Sequence, residues 1–334
     1  MDSIKFNLFS AVKYYIKLSQ ELQASLLKHP EDYVKFQGIF NLSVDKVYQD
    51  VQQFEKINIA KFEAKVYKMK KIFEKRYRRY FLHGEYIRRS FEKPLGYAGD
   101  FLVIDSIYKN QSRTSGFDRL WDNYFQDLAV SKATRERKED FKNIILEMAR
   151  KNKNENLRIL NLACGPAREI KELLEADSDK IFAKVIFDCC DLDTQAIDYA
   201  KQLLMDFNNV KFFQKNAIRL ALKKDIKLEL PQEYDLIYST GLFDYLDESI
   251  ASRLAGNLKK ALKKGGMLAI ANVRDKYSNS SASWMEWVAE WNLIYRTEAE
   301  FKRIFLNAGF SSADLEIIPQ QSAVMQYCLA RAER

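Results

Sequence analysis

A chain of 334 residues, 47% hydrophobic and 30% charged, can bury a sizeable core in one large domain or two, and its 5 prolines and 11 glycines exclude long disordered linkers. No charged-then-apolar leader follows Met1, and no uncharged apolar run reaches the roughly 20 residues needed to cross a bilayer, so the reading is a soluble, cytoplasmic protein with no transmembrane segment. The formal charge is +8, and the stretch from Lys65 to Lys93 alone holds 11 Lys or Arg against three Glu, so the excess is local.

Residues 1 to about 130 read as helical, with Phe9, Val12, Tyr15, Ile16 and Leu22 at helical spacing and a helix start at Ser43 to Asp45. The basic stretch reads as one helix with Phe62, Val66, Met69, Phe73, Tyr77 and Tyr80 on its apolar face. It is either packed on the core with its cations in water, or a surface for RNA, anionic lipid head groups or an acidic carrier protein. Glu92 to Asp100, EKPLGYAGD, is a turn-rich break between helices, and a further helix spans about Lys132 to Lys151. Polar residues 151–156 then lead into a first strand, which puts a domain boundary near residue 152. The expected division is 1–152, an all-helical cap, and 153–334, an α/β domain.

From Leu157 onward, short apolar runs alternate with helical patterns, as in a doubly wound parallel sheet. LRILNLACGPAREI, from Leu157 to Ile170, is an apolar run that stops at Ala163-Cys164-Gly165 before a helix. A strand ending in such a turn aims backbone N–H groups at a ligand above the sheet, and Gly165 permits a close approach. A second run ends at Asp191, 26 residues after Gly165, where an acid can hold a ribose diol. The four cysteines fall in or beside strands and read as reduced core residues. His29 and His83 form no ligand-spaced cluster, so no metal ion is assigned, although a carboxylate-only site stays open. A last strand pair is expected at about 314–318 and 323–330.

These blocks in this order resemble the class I S-adenosylmethionine methyltransferases, with Asn161 where the family's first-motif acid stands and Ala167 in place of its last glycine. The resemblance implies a Rossmann-like sheet with S-adenosylmethionine as cofactor. It implies cofactor contacts from Ala163, Cys164, Gly165, Asp191 and Leu192, from Asn216 and Ala217 after the third strand, and from Ser239, Thr240 and Gly241 after the fourth. Four further blocks, 92–108, 133–137, 239–246 and 283–297, are similar to the bacterial methyltransferases related to the enzyme that makes 3-hydroxypalmitic acid methyl ester, over about four-fifths of the chain. That narrower likeness implies a helical cap before the cofactor domain.

Physical reasoning assigns these blocks provisional roles. Tyr97, between Gly96 and Gly99, would reach the cofactor mouth with Asp100, or form a plain turn. Arg137 would fork onto the methionine carboxylate of the cofactor or onto a substrate acid. Trp284, Trp287 and Trp291 share one helical face that Tyr295 extends, as core or as the apolar wall of a substrate pocket with Arg296 as a polar group. Asp244 and Tyr245 are the nearest bases for a hydroxyl or amine acceptor, while a carboxylate needs none. The functional reading is methyl transfer to a small or lipid-like acceptor. The alternatives are an RNA methyltransferase that uses the basic helix and a non-enzymatic S-adenosylmethionine sensor.

Overall fold

The computed structural model describes residues 2–153 and 155–333, and of residues 2–8 only the backbone. The chain forms two compact units: residues 1–132 with 276–292, and residues 133–275 with 293–334. This division differs from the expected boundary near residue 152 in two ways. Most of the helix before the first strand groups with the α/β unit, and a short segment after the fifth strand groups with the helices.

The first unit contains α1 (Asp2–Lys28), α2 (Tyr33–Arg76), α3 (Glu85–Glu92), α4 (Phe101–Lys109), α5 (Gly116–Asp127) and the start of α6 (Ala129–Lys151). The expected start at Ser43 lies inside α2, where the Ser43 hydroxyl donates to the Phe40 carbonyl at 2.7 Å, the local back-bond that lets serine sit within a helix. The basic stretch is not one helix. α2 is interrupted by non-helical backbone at Phe62 and ends at Arg76, a 3₁₀ turn covers Arg78–Tyr80, and α3 begins only at Glu85. Its apolar face is formed in part: Val66, Met69 and Phe73 are buried, whereas Phe62 is exposed at the interruption. The core of this unit is aromatic. Tyr15 stacks on Phe81 with centroids 4.5 Å apart, and Phe40 meets Trp121 edge-on at 5.0 Å.

The second unit is a seven-stranded sheet with helices: β1 (Leu157–Leu162), α7 (Arg168–Glu175), β2 (Val185–Asp191), α8 (Thr194–Leu203), β3 (Val210–Gln214), α9 (Ala217–Leu222), β4 (Tyr234–Ser239), α10 (Glu248–Lys260) and β5 (Leu262–Val273). α11 (Ala282–Trp287) returns to the first unit, and α12 (Glu298–Asn307), β6 (Leu315–Pro319) and β7 (Met325–Arg331) complete the second. The strand order is β3-β2-β1-β4-β5-β7-β6, with β1 to β5 parallel and β7 antiparallel to both neighbours. This is the class I methyltransferase architecture, an α/β sheet preceded by a long helical region. The order reverses between β1 and β4, and in open sheets ligands bind at such a switch, outside the carboxyl ends of the strands. Among the described residues no helix is long and apolar enough to cross a membrane.

Candidate active site

The chain leaves β1 through three left-handed residues that alternate with ordinary ones: Ala163 at φ 57°, Gly165 at 52° and Ala167 at 49°. Two of the three are alanines, which adopt this conformation at a cost of roughly 1–2 kcal/mol each, so the surroundings must impose it. Two hydrogen bonds tether the loop. The Cys164 N–H donates to the Cys190 carbonyl at 3.0 Å, and the Gly165 N–H donates to Asp191 Oδ2 at 2.9 Å.

Asp191 therefore stands at the carboxyl end of β2 against the β1 loop. Its Oδ1 accepts from the Asp193 N–H at 3.0 Å. Burial raises its pKa, and the backbone N–H groups of Asp193, Gly165 and Leu192 oppose that rise by favouring the charged form. Each carboxylate oxygen keeps a further lone pair, so donors from a ligand can be added without displacing these. Leu192 is exposed beside it. The Cys164 thiol is buried, and the adjoining Cys189 side chain together with burial pushes its pKa well up, so it is a neutral group under the loop.

Next to Asp191, the Lys215 N–H donates to the Asp191 carbonyl at 2.9 Å, which sets the residues after β3 beside the same edge. Asn216 caps α9 there, its Oδ1 accepting from the Arg219 N–H at 3.1 Å, and Ala217 is the first helical residue. On the other side of β1, Ser239 ends β4 fully buried, with a hydroxyl that has no hydrogen-bond partner among the described residues. Thr240 and Gly241 follow. Arg137, buried on α6, donates from Nη1 to the Thr240 carbonyl at 2.6 Å, and its guanidinium lies 3.8–3.9 Å from where a Cβ on Gly241 would sit. Two residues earlier on α6, Arg135 is only half-buried.

Asp244 and Tyr245 occupy a 3₁₀ turn beyond this loop. Asp244 is buried, and its Oδ1 accepts from Asn272 Nδ2 at 2.9 Å and from the Val273 N–H at 2.8 Å. Burial raises its pKa to about 6 against the charges of Arg137 and Arg296. Tyr245 is exposed. Arg296, expected as a substrate-facing cation, is instead engaged internally: it donates to the Phe243 carbonyl at 2.7 Å and also to Asn272 Oδ1 and the Leu246 carbonyl. It clamps the turn that carries Asp244 to the end of β5.

The aromatic face expected of residues 284–295 is not formed. α11 stops at Trp287, Glu290 turns left-handed, and Tyr295 belongs to the second unit while the tryptophans belong to the first. Trp284 packs edge-on against Phe125 at 5.5 Å and Trp287 against Phe73 at 5.8 Å, with Trp287 Nε1 donating to Glu55 Oε2 at 2.9 Å. They are core of the helical unit. Trp291 lies buried over Gly99. In the same unit Asp100 caps α4, accepting from the Leu102 and Val103 N–H groups at 3.0 and 3.1 Å, and pairs with Arg89 at 2.8 Å, so its carboxylate is a structural one. Tyr97 is half-buried in the turn before it.

One residue of the site escaped the sequence reading. Glu169, in the first turn of α7, is buried and accepts from Asn161 Nδ2 at 2.8 Å and Tyr238 Oη at 2.9 Å. Asn161 and Tyr238 are register partners on β1 and β4, so their side chains share a face. The carboxylate absent at Asn161 is thus supplied from the following helix. Its signal was an acid four residues after Gly165 with an amide where an acid was expected. Among the described residues no group of three or more His, Cys, Asp or Glu is placed to hold a metal ion.

Residues 160–268 match a family model described as a methyltransferase domain. No curated protein matches the chain. Among solved structures, a protein of Bordetella parapertussis described as a possible exported protein shares the fold at 20% identity and TM-score 0.56, covering 70% of this chain and 80% of its own. Magnesium protoporphyrin IX methyltransferase of Synechocystis PCC 6803, solved with S-adenosylmethionine, is 14% identical at TM-score 0.43 over 61% of this chain and 84% of its own. A SAM-dependent methyltransferase of Aquifex aeolicus is 17% identical at TM-score 0.40 over 57% and 89%. Residues 160–268 of the second unit are thus similar to a methyltransferase domain.

Proposed function

We propose that this protein transfers the methyl group of S-adenosylmethionine to a carboxylate or hydroxyl of a small or lipid-like acceptor in the cytoplasm. The observation that carries the cofactor site is the Asp191 carboxylate, held 2.9 Å from the Gly165 N–H at the sheet's switch point. The unpartnered Ser239 hydroxyl at the end of β4 is a polar group that a ligand's donor or acceptor would satisfy. Both fit a nucleoside with a diol at one end. In this reading Asp191 accepts from the ribose hydroxyls, Asn216 and Ala217 border the adenine, and Arg137 steadies the Thr240–Gly241 loop beneath the donor.

When bound, S-adenosylmethionine supplies an activated methyl on a sulfonium. The protein's part is then mainly alignment in a site shielded from water, which can contribute about 7–11 kcal/mol of barrier lowering. A carboxylate acceptor needs no base. For a hydroxyl, Asp244 is the candidate, with a pKa near 6 that leaves it ionised at neutral pH. The lipid-like acceptor rests on the likeness of residues 92–108, 133–137, 239–246 and 283–297 to the group that contains the 3-hydroxypalmitic acid methyl ester enzyme.

Methyl-labelled S-adenosylmethionine incubated with the protein and an extract of lipids and metabolites tests this reading. Label in a base-labile ester or a methyl ether of a small molecule supports it, and label confined to nucleic acid or protein overturns it.

A further inference from the structure

The second half of α2 has two unlike faces. Val66, Met69 and Phe73 turn into the helical unit. On the outer side, beyond the interruption at Phe62, Ala64, Lys68, Lys71 and Lys75 follow at spacings of four and three, so they form one ridge, and all are exposed. Phe62, at the interruption, is 42% exposed with Lys65 Nζ 4.4 Å from its ring centroid, and Tyr67 is 53% exposed.

Residues 61–76 carry six Lys and one Arg against Glu63 and Glu74, and Glu74 is paired with Arg78 at 2.8 Å. Among the described residues no carboxylate lies within 4.0 Å of Lys61, Lys65, Lys68, Lys71 or Lys75. The surface therefore carries a net positive field, with Glu63 as its one exposed carboxylate, and two large apolar side chains, Phe62 and Tyr67, are exposed along the same stretch. RNA would use the cations and could stack on Phe62 and Tyr67, but rigid phosphate forks favour arginine over the lysine found here. A lipid interface uses all of these groups: lysines at the anionic head groups, aromatic side chains at the acyl boundary.

We infer that this face of α2 docks the protein on an anionic lipid bilayer. The inference stands on the helical unit alone and is independent of the methyl acceptor's identity. The test is sedimentation of the full chain with phosphatidylcholine vesicles, with and without phosphatidylserine. Retention is expected only with phosphatidylserine and should fall steeply as salt rises. Each lysine near such a surface is worth roughly fivefold in partitioning, so Lys68→Gln with Lys71→Gln should weaken retention by roughly 25-fold while the circular dichroism and melting temperature stay unchanged. Phe62→Ser should weaken retention without changing its salt dependence. Equal retention on both vesicle types, no retention, no effect of the lysine substitutions, or displacement of the protein from the vesicles by tRNA at equal phosphate would each overturn the inference.

Discussion

Asp244 gives a sharp test of the electrostatics beneath the loop that follows β4. Its carboxyl is buried, and its pKa rises from 3.8 to about 6 on folding, chiefly through desolvation. A raised acid contributes stability that is fully present below pH 3.8 and lost as pH climbs through about 6, so at neutral pH the ionised form carries a penalty. Two pKa units are worth about 3 kcal/mol. Asp244→Asn keeps the Oδ1 that accepts from the Val273 N–H and Asn272 Nδ2, and removes only the charge. Other titrating groups are common to both proteins and cancel in the difference. Urea denaturation of both forms from pH 4 to pH 8 should therefore show the variant gaining on the wild type by about 3 kcal/mol, mostly between pH 4 and 6. A difference that is flat with pH, or that moves against the variant as pH rises, would refute the assignment of burial as the dominant cause.

Two further outcomes separate structural from substrate roles. Arg296→Ala strips the Phe243 and Leu246 carbonyls and Asn272 of a buried donor, so it should cost about 1–3 kcal/mol of stability in denaturant melts and affect turnover of anionic and neutral acceptors alike. A normally stable variant with a raised KM for an acidic acceptor alone would restore the substrate-facing reading. Gly99→Ala puts a Cβ 2.4 Å from the Trp291 ring, an overpacking worth about 1–3 kcal/mol, visible as a lowered Tm with an altered tryptophan spectrum.

The α/β half of the chain was legible because its signals are local. Apolar runs and turn residues mark each strand, and the last two were placed to within two residues of β6 and β7. Asp191 was legible for the same reason, since an acid at a strand end follows from spacing. What spacing does not encode is the partner a buried group finds in three dimensions. Arg296 and Asp100 look like free charges in the sequence and become structural ones only when the Leu246 carbonyl and Arg89 fold against them. Helical periodicity extrapolated from Trp284 to Tyr295 failed because α11 ends after six residues, and a long amphipathic pattern hid the interruption at Phe62. Glu169 was missed because its two donors come from β1 and β4, 8 and 69 residues away.

The account depends on Asp191 as the acceptor in an S-adenosylmethionine site. Isothermal titration of the cofactor into the wild type and Asp191→Ala measures this directly. The substitution removes the acceptor expected for the ribose hydroxyls and leaves those buried donors unpaired in the complex, a loss of about 1–3 kcal/mol that weakens binding roughly 5- to 150-fold. Binding of S-adenosylmethionine by wild type with that loss in the variant is the predicted result. Wild type that binds NAD but not S-adenosylmethionine, or a variant that binds S-adenosylmethionine as tightly as wild type, would contradict the account.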